Sequence, residues 1–232
     1  MPAALAIACP PAKIPTVAEP NPIPPLIAQV AAWGGKLAED RAEQLLAYLD
    51  AMLAINEHIN LTAVREHAAA IVLHVLDGLA FARSGLHPHH VLDIGTGNGF
   101  PGVAVAALHP GASVVLMDRT AKKIRAIGGC LVTAKLDGVE ALNLDAQQAP
   151  ALRRELRHAF DCVTARAVGA PELLAELADP LLRPGGHLVL WLDANAEAAE
   201  RLGSFRRVAL HGYDLPEPAA RHRQLGVWQK RG

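Results

Sequence analysis

The chain has 232 residues, of which 51% are hydrophobic but only 4% aromatic, so it can form one large domain with a core of mainly Ala, Val, Leu and Ile. Its 22 basic and 23 acidic residues give a net charge of −1, so composition offers no electrostatic argument for a nucleic-acid partner, and any basic surface has to be local. Cys9, Cys130 and Cys162 lack the paired spacing of a metal site, and the last two are predicted to be small buried side chains, as a reducing compartment allows.

The first 25 residues are predicted to form an extended or disordered tail. They contain eight prolines and little periodicity, and such a segment builds neither helix nor sheet at low cost. The apolar run at residues 3–9 is too short to span a bilayer and has no basic flank. We therefore expect neither a signal peptide nor a membrane anchor.

The segment after the tail is predicted to be helical. Leu45 and Leu49 belong to an apolar stripe at helical spacing, which indicates a helix packed on the main domain. A polar, turn-like loop follows at residues 56–66. The next helix places His74 and Asp77 three residues apart on one face, where a local hydrogen-bonded pair is a more ordinary interpretation than a catalytic dyad.

Residues 91–118 predict a strand, a glycine turn, a helix and a second strand in succession. The first apolar run is typical of a buried parallel strand and ends in Gly95, Gly97 and Gly99, where the backbone must turn sharply and admit a ligand. The second strand ends at Asp118. This order is that of the nucleoside-binding half of a doubly wound sheet, in which the acid accepts hydrogen bonds from ribose hydroxyls.

The spacing of the glycines favours one nucleoside ligand over another. The dinucleotide fingerprint requires a third glycine three positions after the second, and here that position is Phe100. Asp93 lies just ahead of the turn, and a carboxylate there repels a pyrophosphate but suits a cationic, amino-bearing ligand. S-adenosylmethionine carries a sulfonium and an ammonium group and no phosphate, so the residues favour it over NAD.

Helices and strands alternate from the first strand to the fifth, which predicts an α/β sheet. In chain order, helices are predicted at residues 37–55, 68–82, 101–107, 122–136 and 171–182, a turn at 183–186, and strands at 91–94, 114–117, 142–144, 160–165, 187–192, 206–210 and 225–229. The residues that follow the first four strands include Gly95, Asp118, the pair Ala146 and Gln147, and Arg166. Because ligands bind outside the carboxyl ends of such strands, we expect these residues to converge on one crevice.

The helix predicted at residues 122–136 carries three cations near its start, Lys122, Lys123 and Arg125. Cations at a helix N-terminus oppose the helix dipole, so their placement needs another reason. A phosphate partner and a solvated basic face are equally good explanations from the sequence.

Three histidines, His87, His89 and His90, precede the first strand. No cysteine or acid accompanies them at the spacing usual for zinc ligands, so a solvated loop is expected and a metal site is not.

Six stretches form a more specific pattern than the glycine turn. They are NEHINLTAVRE (56–66), HVLDGLA (74–80), VLDIGTGNGFPG (91–102), FDCVTARAV (160–168), LLRPGG (181–186) and RHRQLGVWQK (221–230). In these stretches and in their order, the chain resembles the bacterial 16S ribosomal RNA guanine-N7 methyltransferases, also called glucose-inhibited division protein B. The resemblance spans residues 37–230.

The resemblance implies an α/β, Rossmann-like class I methyltransferase fold with a mostly parallel, seven-stranded sheet. A helical N-terminal extension at residues 26–85 is expected to form one compact unit with the methyltransferase core at residues 86–232. The resemblance also implies S-adenosylmethionine as donor and a guanine of 16S ribosomal RNA, naked or in the small ribosomal subunit, as acceptor. The expected protein is a cytoplasmic monomer without a membrane or metal partner.

The resemblance and the residue-level reasoning together define a predicted site. Its donor-binding residues are Asp93, Gly95, Gly97, Gly99, Phe100, Asp118, Ala146, Gln147 and Arg166. Arg166 is also the predicted catalytic residue, because a guanidinium suits pinning of the target nucleotide or closure of the donor site. Guanine N7 has no proton to lose, so no general base is expected, and alignment of the reacting atoms is the main task.

The chain departs from the family pattern at two places. Gln147 stands where the family usually has a glutamate, so an amide replaces a carboxylate near the adenine. Leu192 and Asp193 stand where the family usually has Lys-Gly, and a lysine there is suited to an RNA phosphate. Two alternatives therefore stay open: a class I methyltransferase acting on a small molecule or protein, and a non-catalytic nucleoside-binding or ribosome-assembly module.

Overall fold

The computed structural model describes residues 21–166 and 169–231. Most of the predicted tail, including Cys9, and the last two residues of the FDCVTARAV stretch lie outside the described residues. The helices are α1 (Ile23–Ala32), α2 (Glu39–Asn56), α3 (His67–Ala70), α4 (Asp77–Leu79), α5 (Gly102–Leu108), α6 (Ala121–Thr133), α7 (Ala149–Leu152) and α8 (Pro171–Ala178). A π-helical turn, Ile71–Leu76, joins α3 to α4, and 3₁₀ turns span Ala80–Ser84 and Arg154–Leu156.

The described residues contain one eight-stranded sheet. Its strands are β1 (His90–Ile94), β2 (Ser113–Asp118), β3 (Val139–Asn143), β4 (Phe160–Arg166), β5 (Leu182–Asp193), β6 (Arg201–Leu202), β7 (Phe205–Leu215) and β8 (Arg221–Lys230). Their order across the sheet is β3-β2-β1-β4-β5-β8-β7-β6. The first five strands pair in parallel, and β8, β7 and β6 pair antiparallel.

This architecture confirms the predicted mostly parallel α/β fold, with one strand more than the seven expected. The additional strand is the two-residue β6, which pairs with the start of β7 and is too short to leave a periodic pattern. The turn predicted at residues 183–186 lies inside β5, which begins at Leu182; the register against β4 shifts between Leu182 and His187, and Gly185 takes a positive φ of 76° there. The glycine turn after β1 is where the sequence predicts it, and Gly95, Gly97 and Gly99 all have positive φ values.

The extended tail predicted up to residue 25 is wrong at its C-terminal end, because α1 begins at Ile23. Pro24 and Pro25 lie in the first turn of α1, where a missing backbone N–H has no intrahelical partner to lose. Leu26 and Val30 are the buried face of this helix. Proline density alone therefore does not exclude a helix when the prolines fall in its first turn.

Both faces of the sheet are covered. On one face, Leu45 and Tyr48 of α2 share a core with Val103 of α5 and Leu116 of β2. On the other face, Leu174 of α8 packs in a second core that includes Leu92, Val163 and Leu188. The helical extension thus lies on the face that α5 and α6 also cover, and it approaches the carboxyl ends of the parallel strands.

The described residues include two of the three cysteines and bear on whether a helix could cross a membrane. Cys130 and Cys162 are both buried, as predicted, within helix α6 and strand β4. Over residues 21–166 and 169–231, no helix combines the length and the apolar character that a membrane crossing requires.

Candidate active site

A cavity of about 750 Å³ lies at the carboxyl ends of the parallel strands. Residues from four strand ends line it, as the sequence predicts: Gly95, Gly97 and Phe100 after β1, Asp118 after β2, Ala146 and Gln147 after β3, and Arg166 of β4. The helical extension and the β7–β8 hairpin contribute further lining residues, which include Leu61, Val64, His74, Asp77, Leu215, Arg221 and Arg223. The predicted convergence on one crevice is therefore present for these residues.

The glycine turn presents bare backbone to the cavity. Gly95 and Gly97 have φ values of 63° and 56°, in the left-handed region that favours glycine. A Cβ atom added at Gly97 would meet only the carbonyl oxygen of Gly95, at 3.8 Å, so the turn leaves open space there. The two glycines therefore form a cradle that a ligand can approach closely.

Asp118 connects the end of β2 to this turn. Its Oδ2 accepts a hydrogen bond from the backbone N–H of Gly97 at 3.1 Å, and its Oδ1 accepts one from the N–H of Thr120 at 2.8 Å. The side chain is buried yet lines the cavity. Each carboxylate oxygen has a further lone pair, so Asp118 can still accept hydrogen bonds from a ligand.

Asp93 lies beneath the turn rather than facing a ligand, which corrects the prediction that its charge meets the donor. It is fully buried, its Oδ1 accepts a hydrogen bond from Thr164 Oγ1 at 2.7 Å, and its Oδ2 accepts one from the Gly102 N–H at 3.3 Å. Burial raises the pKa of Asp93 to about 6, although hydrogen bonds from its neighbours act in the opposite direction. Asp93 thus ties the start of α5 to β4.

Gly99 also differs from its predicted role, because it is not among the residues that line the cavity. Its φ is 95°, and an added Cβ would lie 2.0 Å from the hydroxyl oxygen of buried Tyr48. That hydroxyl donates to the carbonyl of Asn98 at 2.9 Å. Glycine is therefore required at this position so that α2 can pack against the turn.

Phe100 forms an apolar part of the cavity wall. Its ring is buried, lies edge-on to Tyr48 with the ring centroids 5.6 Å apart, and is stacked on His74 with the centroids 5.9 Å apart. The position that excludes the dinucleotide fingerprint is thus occupied by an aromatic ring that joins the turn to the helical extension.

Arg166 is held at the meeting point of three segments. Its Nη1 donates to Asp77 Oδ2 at 2.9 Å and to the carbonyl of Leu73 at 2.8 Å, and its Nη2 donates to the carbonyl of Phe100 at 3.4 Å. Only 11% of its side chain is exposed. The π-helical turn contributes to this arrangement. The Asp77 N–H donates to the carbonyls of Val72 and His74, and the carbonyl of Leu73 accepts a hydrogen bond from Arg166.

Asp77 is the centre of a buried charge network that the sequence did not reveal. Its side chain is 4% exposed, and besides Arg166 it contacts Tyr213, whose hydroxyl donates to Oδ1 at 2.5 Å, and Arg223, whose Nε is 3.6 Å from Oδ1. Burial and the Asp77 charge raise the pKa of Tyr213. The local His74–Asp77 pair predicted from helical spacing is wrong, because both side chains bond to distant segments instead.

Asp193, one of the two residues that depart from the family pattern after β5, forms an ion pair with Arg223. Asp193, at the end of β5, accepts a hydrogen bond from Nη1 of Arg223 at 2.5 Å and is 86% exposed. Arg223 lines the cavity, and its guanidinium contacts both the buried carboxylate of Asp77 and the exposed carboxylate of Asp193. The usual family lysine corresponds to the preceding residue, Leu192, which is buried here, and Asp193 stands where the family usually has glycine.

Basic residues border the cavity, although the chain as a whole is nearly neutral. Arg119, Lys123 and Arg221 line it together with Arg166 and Arg223. Of the three cations singled out near the start of α6, Lys123 is in the lining, whereas Lys122 and Arg125 are exposed outside it. A local group of basic residues therefore lies at the cavity, together with the carboxylates of Asp77, Asp118 and Asp145.

The strand order and the ligand-sized cavity at the glycine turn are those of the class I methyltransferase fold. Solved structures share the fold: one described as a predicted O-methyltransferase from Agrobacterium tumefaciens aligns with a TM-score of 0.52 at 24% identity, covering 62% of this chain and 74% of that one. A SAM-dependent methyltransferase from Aquifex aeolicus aligns with a TM-score of 0.51 at 14% identity, covering 69% and 92%.

The sequence comparisons identify the family. The model of the GidB family, described as rRNA small subunit methyltransferase G, matches residues 41–214. The ribosomal RNA small subunit methyltransferase G of Chloroflexus aggregans is 36% identical over 167 residues, or 71% of this chain and 69% of that protein. Methyltransferase G 1 of Syntrophobacter fumaroxidans is 32% identical over 204 residues, or 86% and 92%. The chain belongs to the GidB family.

Proposed function

We propose that this protein transfers the methyl group of S-adenosylmethionine to N7 of a guanine in 16S ribosomal RNA. The observation that carries the proposal is the cavity between the glycine turn and the helical extension in a chain of the GidB family. The acceptor RNA is polyanionic, which is consistent with the arginines and lysine that border this cavity.

The residues present fit the donor. Gly97 leaves room beside bare backbone, Gly95 lines the same cavity, and Asp118 has free lone pairs at the position where ribose hydroxyls are expected. Ala146 and Gln147 line the cavity beyond β3, where the Gln147 amide can donate to or accept from an adenine edge. When bound, S-adenosylmethionine supplies a methyl group on a positively charged sulfur.

The acceptor atom limits what the cavity residues can do. Guanine N7 must present its lone pair to the methyl carbon, so an arginine that bonds both O6 and N7 of guanine is compatible with recognition but not with reaction. Cavity guanidiniums are therefore assigned to O6 or to phosphate. No side chain has to remove a proton, and the protein contributes alignment, an effect worth about 7–11 kcal/mol in well-oriented reactions.

Arg166 is proposed to act through this alignment. Its contacts with Asp77 and the Phe100 carbonyl hold the guanidinium between donor turn and acceptor wall. Replacement by alanine should lower methyl transfer at saturating donor more strongly than donor affinity. Unchanged transfer in that variant would remove Arg166 from the mechanism.

The proposal has three further parts. The enzyme is proposed to act as a monomer. Residues 26–85 and 86–232 share one hydrophobic core and are proposed to fold as one unit. A ribosomal RNA substrate supports a cytoplasmic location for the reaction.

The test is transfer of labelled methyl from S-adenosylmethionine to small ribosomal subunits and to naked 16S RNA that lack the modification. Label recovered as 7-methylguanine is the expected result. Label on free metabolites or on protein but not on RNA would select a different acceptor class and make the Leu192-Asp193 pair the leading candidate for the change. Donor binding without transfer to any acceptor would select a non-catalytic module.

A further inference from the structure

We propose that His74 is a positioning residue that holds the acceptor-side loop (residues 56–66) against the donor turn (residues 95–101). His74 lies in the π-helical turn between α3 and α4 and is buried at the cavity wall. The inference rests on the proposed function, because it assigns the two sides of the cavity to donor and acceptor.

The hydrogen bonds of His74 determine which ring nitrogen carries the proton. The Asn98 amide nitrogen lies close to both ring nitrogens, 3.3 Å from Nδ1 and 3.4 Å from Nε2, whereas Arg166 Nη2 faces Nδ1 alone at 3.4 Å. The orientation of the Asn98 amide follows from its oxygen, which accepts from the Phe100 N–H at 3.1 Å. Since a guanidinium cannot accept a hydrogen bond, Nδ1 is the acceptor and the proton is on Nε2.

The Nε2 proton therefore points to the acceptor-side loop. Nε2 lies 3.0 Å from Thr62 Oγ1, which also accepts a hydrogen bond from the Val64 N–H at 3.1 Å. Burial and the nearby Arg166 charge lower the pKa of His74 to about 3, so the ring is neutral at neutral pH and carries a single ring proton. His74 thus donates to the loop and accepts from the turn.

The loop has one further anchor, at its start. Asn56 is buried, its Oδ1 accepts from the N–H groups of Leu61 and Thr62 at 2.8 and 3.0 Å, and its Nδ2 donates to the Thr62 carbonyl at 3.0 Å. Asn56 therefore shapes the loop, whereas His74 connects the shaped loop to the donor turn.

The hydrogen bond between His74 and Thr62 affects function through the position of the loop at the cavity. Leu61 and Val64 on the loop line the same cavity as Gly95, Gly97 and Phe100 of the donor turn, so the position of the loop relative to the turn affects the space for the acceptor base. Loss of the His74–Thr62 hydrogen bond releases this wall while leaving Asp118 and the glycine cradle in place. The expected effect is on binding of RNA rather than of donor.

The experiment compares His74→Phe, which keeps a ring but no hydrogen bond, with His74→Gln, whose amide can still donate toward Thr62. His109→Phe is the matched control, because His109 is also partly buried and in ring contact with Phe81 but is not in the cavity lining. For each variant, the KM for 16S RNA, kcat, and the Kd for S-adenosylmethionine are measured.

His74→Phe is expected to raise the KM for RNA about tenfold, which corresponds to one lost hydrogen bond of about 1.4 kcal/mol, with less than a threefold change in donor Kd. His74→Gln should recover part of this loss, and His109→Phe should match the wild type. Thr62→Val should reproduce the His74→Phe effect, and the double variant should be no worse than either single one. Additive effects, or a loss confined to kcat or to donor binding, would overturn the proposal.

A readout without RNA separates this proposal from the proposed function. Amide hydrogen exchange at residues 61–66 should be faster in His74→Phe than in the wild type and unchanged in His109→Phe. If the wild type transfers no methyl group to 16S RNA, the proposed function fails, but exchange still decides whether His74 holds the loop. Unchanged exchange in His74→Phe would refute the positioning role whatever the acceptor.

Discussion

Replacing Asp77 by asparagine should destabilise the protein far more than the same change at Asp193, although both carboxylates contact Arg223. The two sites differ in solvent exposure, since the side chain of Asp77 is 4% exposed and that of Asp193 is 86% exposed. Asp77→Asn removes the negative charge that faces two arginines, each only 11% exposed. The variant therefore leaves two largely buried cations without their shared partner.

The magnitude follows from this difference in burial. Removing one partner of a buried ion pair costs about 3–5 kcal/mol, whereas an exposed pair contributes about 0.2–1 kcal/mol. For a chain of this size, 1 kcal/mol corresponds to about 2–4 °C in Tm, so Asp77→Asn should lower Tm by roughly 6–20 °C and Asp193→Asn by no more than about 4 °C.

The assay is urea unfolding at neutral pH, supported by thermal unfolding, with donor absent. An unchanged m value in both variants shows that the comparison concerns stability rather than the extent of unfolding. Similar small losses for Asp77→Asn and Asp193→Asn would refute the reasoning, because the buried network would then contribute no more than a surface pair. A large loss of stability in Asp193→Asn would also refute the reasoning, because an exposed ion pair would then contribute as much as a buried one.

Three further predictions concern the donor, pH and RNA. Asp118→Ala should raise the Kd for S-adenosylmethionine by about 10–100-fold, since hydrogen bonds to a charged group contribute about 1.5–3 kcal/mol; an unchanged Kd in calorimetry would contradict the ribose assignment. The folded-state pKa of His74 is lowered to about 3 from an ordinary 6.5, so its stabilising effect is present above pH 6.5 and is lost as pH falls toward 3. The stability advantage of wild type over His74→Gln in urea unfolding should then shrink by about 1.4 kcal/mol per pH unit below 6.5, and a constant difference between pH 7 and pH 5 would contradict it. Replacing Lys122, Lys123 and Arg125 by glutamine should reduce the slope of log K for RNA against log salt by about 2, if each contacts one phosphate of a single strand; an unchanged slope would assign them to a solvated face.

Local sequence patterns predicted the parts of this protein that depend on neighbouring residues. Alternating apolar segments predicted the order of strands and helices, and the parallel strands then required Gly95, Asp118 and Arg166 to meet at one edge of the sheet. The positive φ values at the glycine turn are likewise a local property of residues without a Cβ. For these features, chain order and periodicity were sufficient.

The roles of individual side chains depended on contacts between distant segments. Asp77 bonds to Arg166, 89 residues away, and to Tyr213, 136 residues away. Asp93 and Gly99 have the residue types expected of ligand contacts. In the structure, however, Asp93 accepts a hydrogen bond from Thr164 and Gly99 packs against Tyr48, so both support the fold instead. Periodicity reports which face of an element is apolar, but not which distant group will desolvate or neutralise a given charge, because burial and pairing arise only when the separate elements pack together.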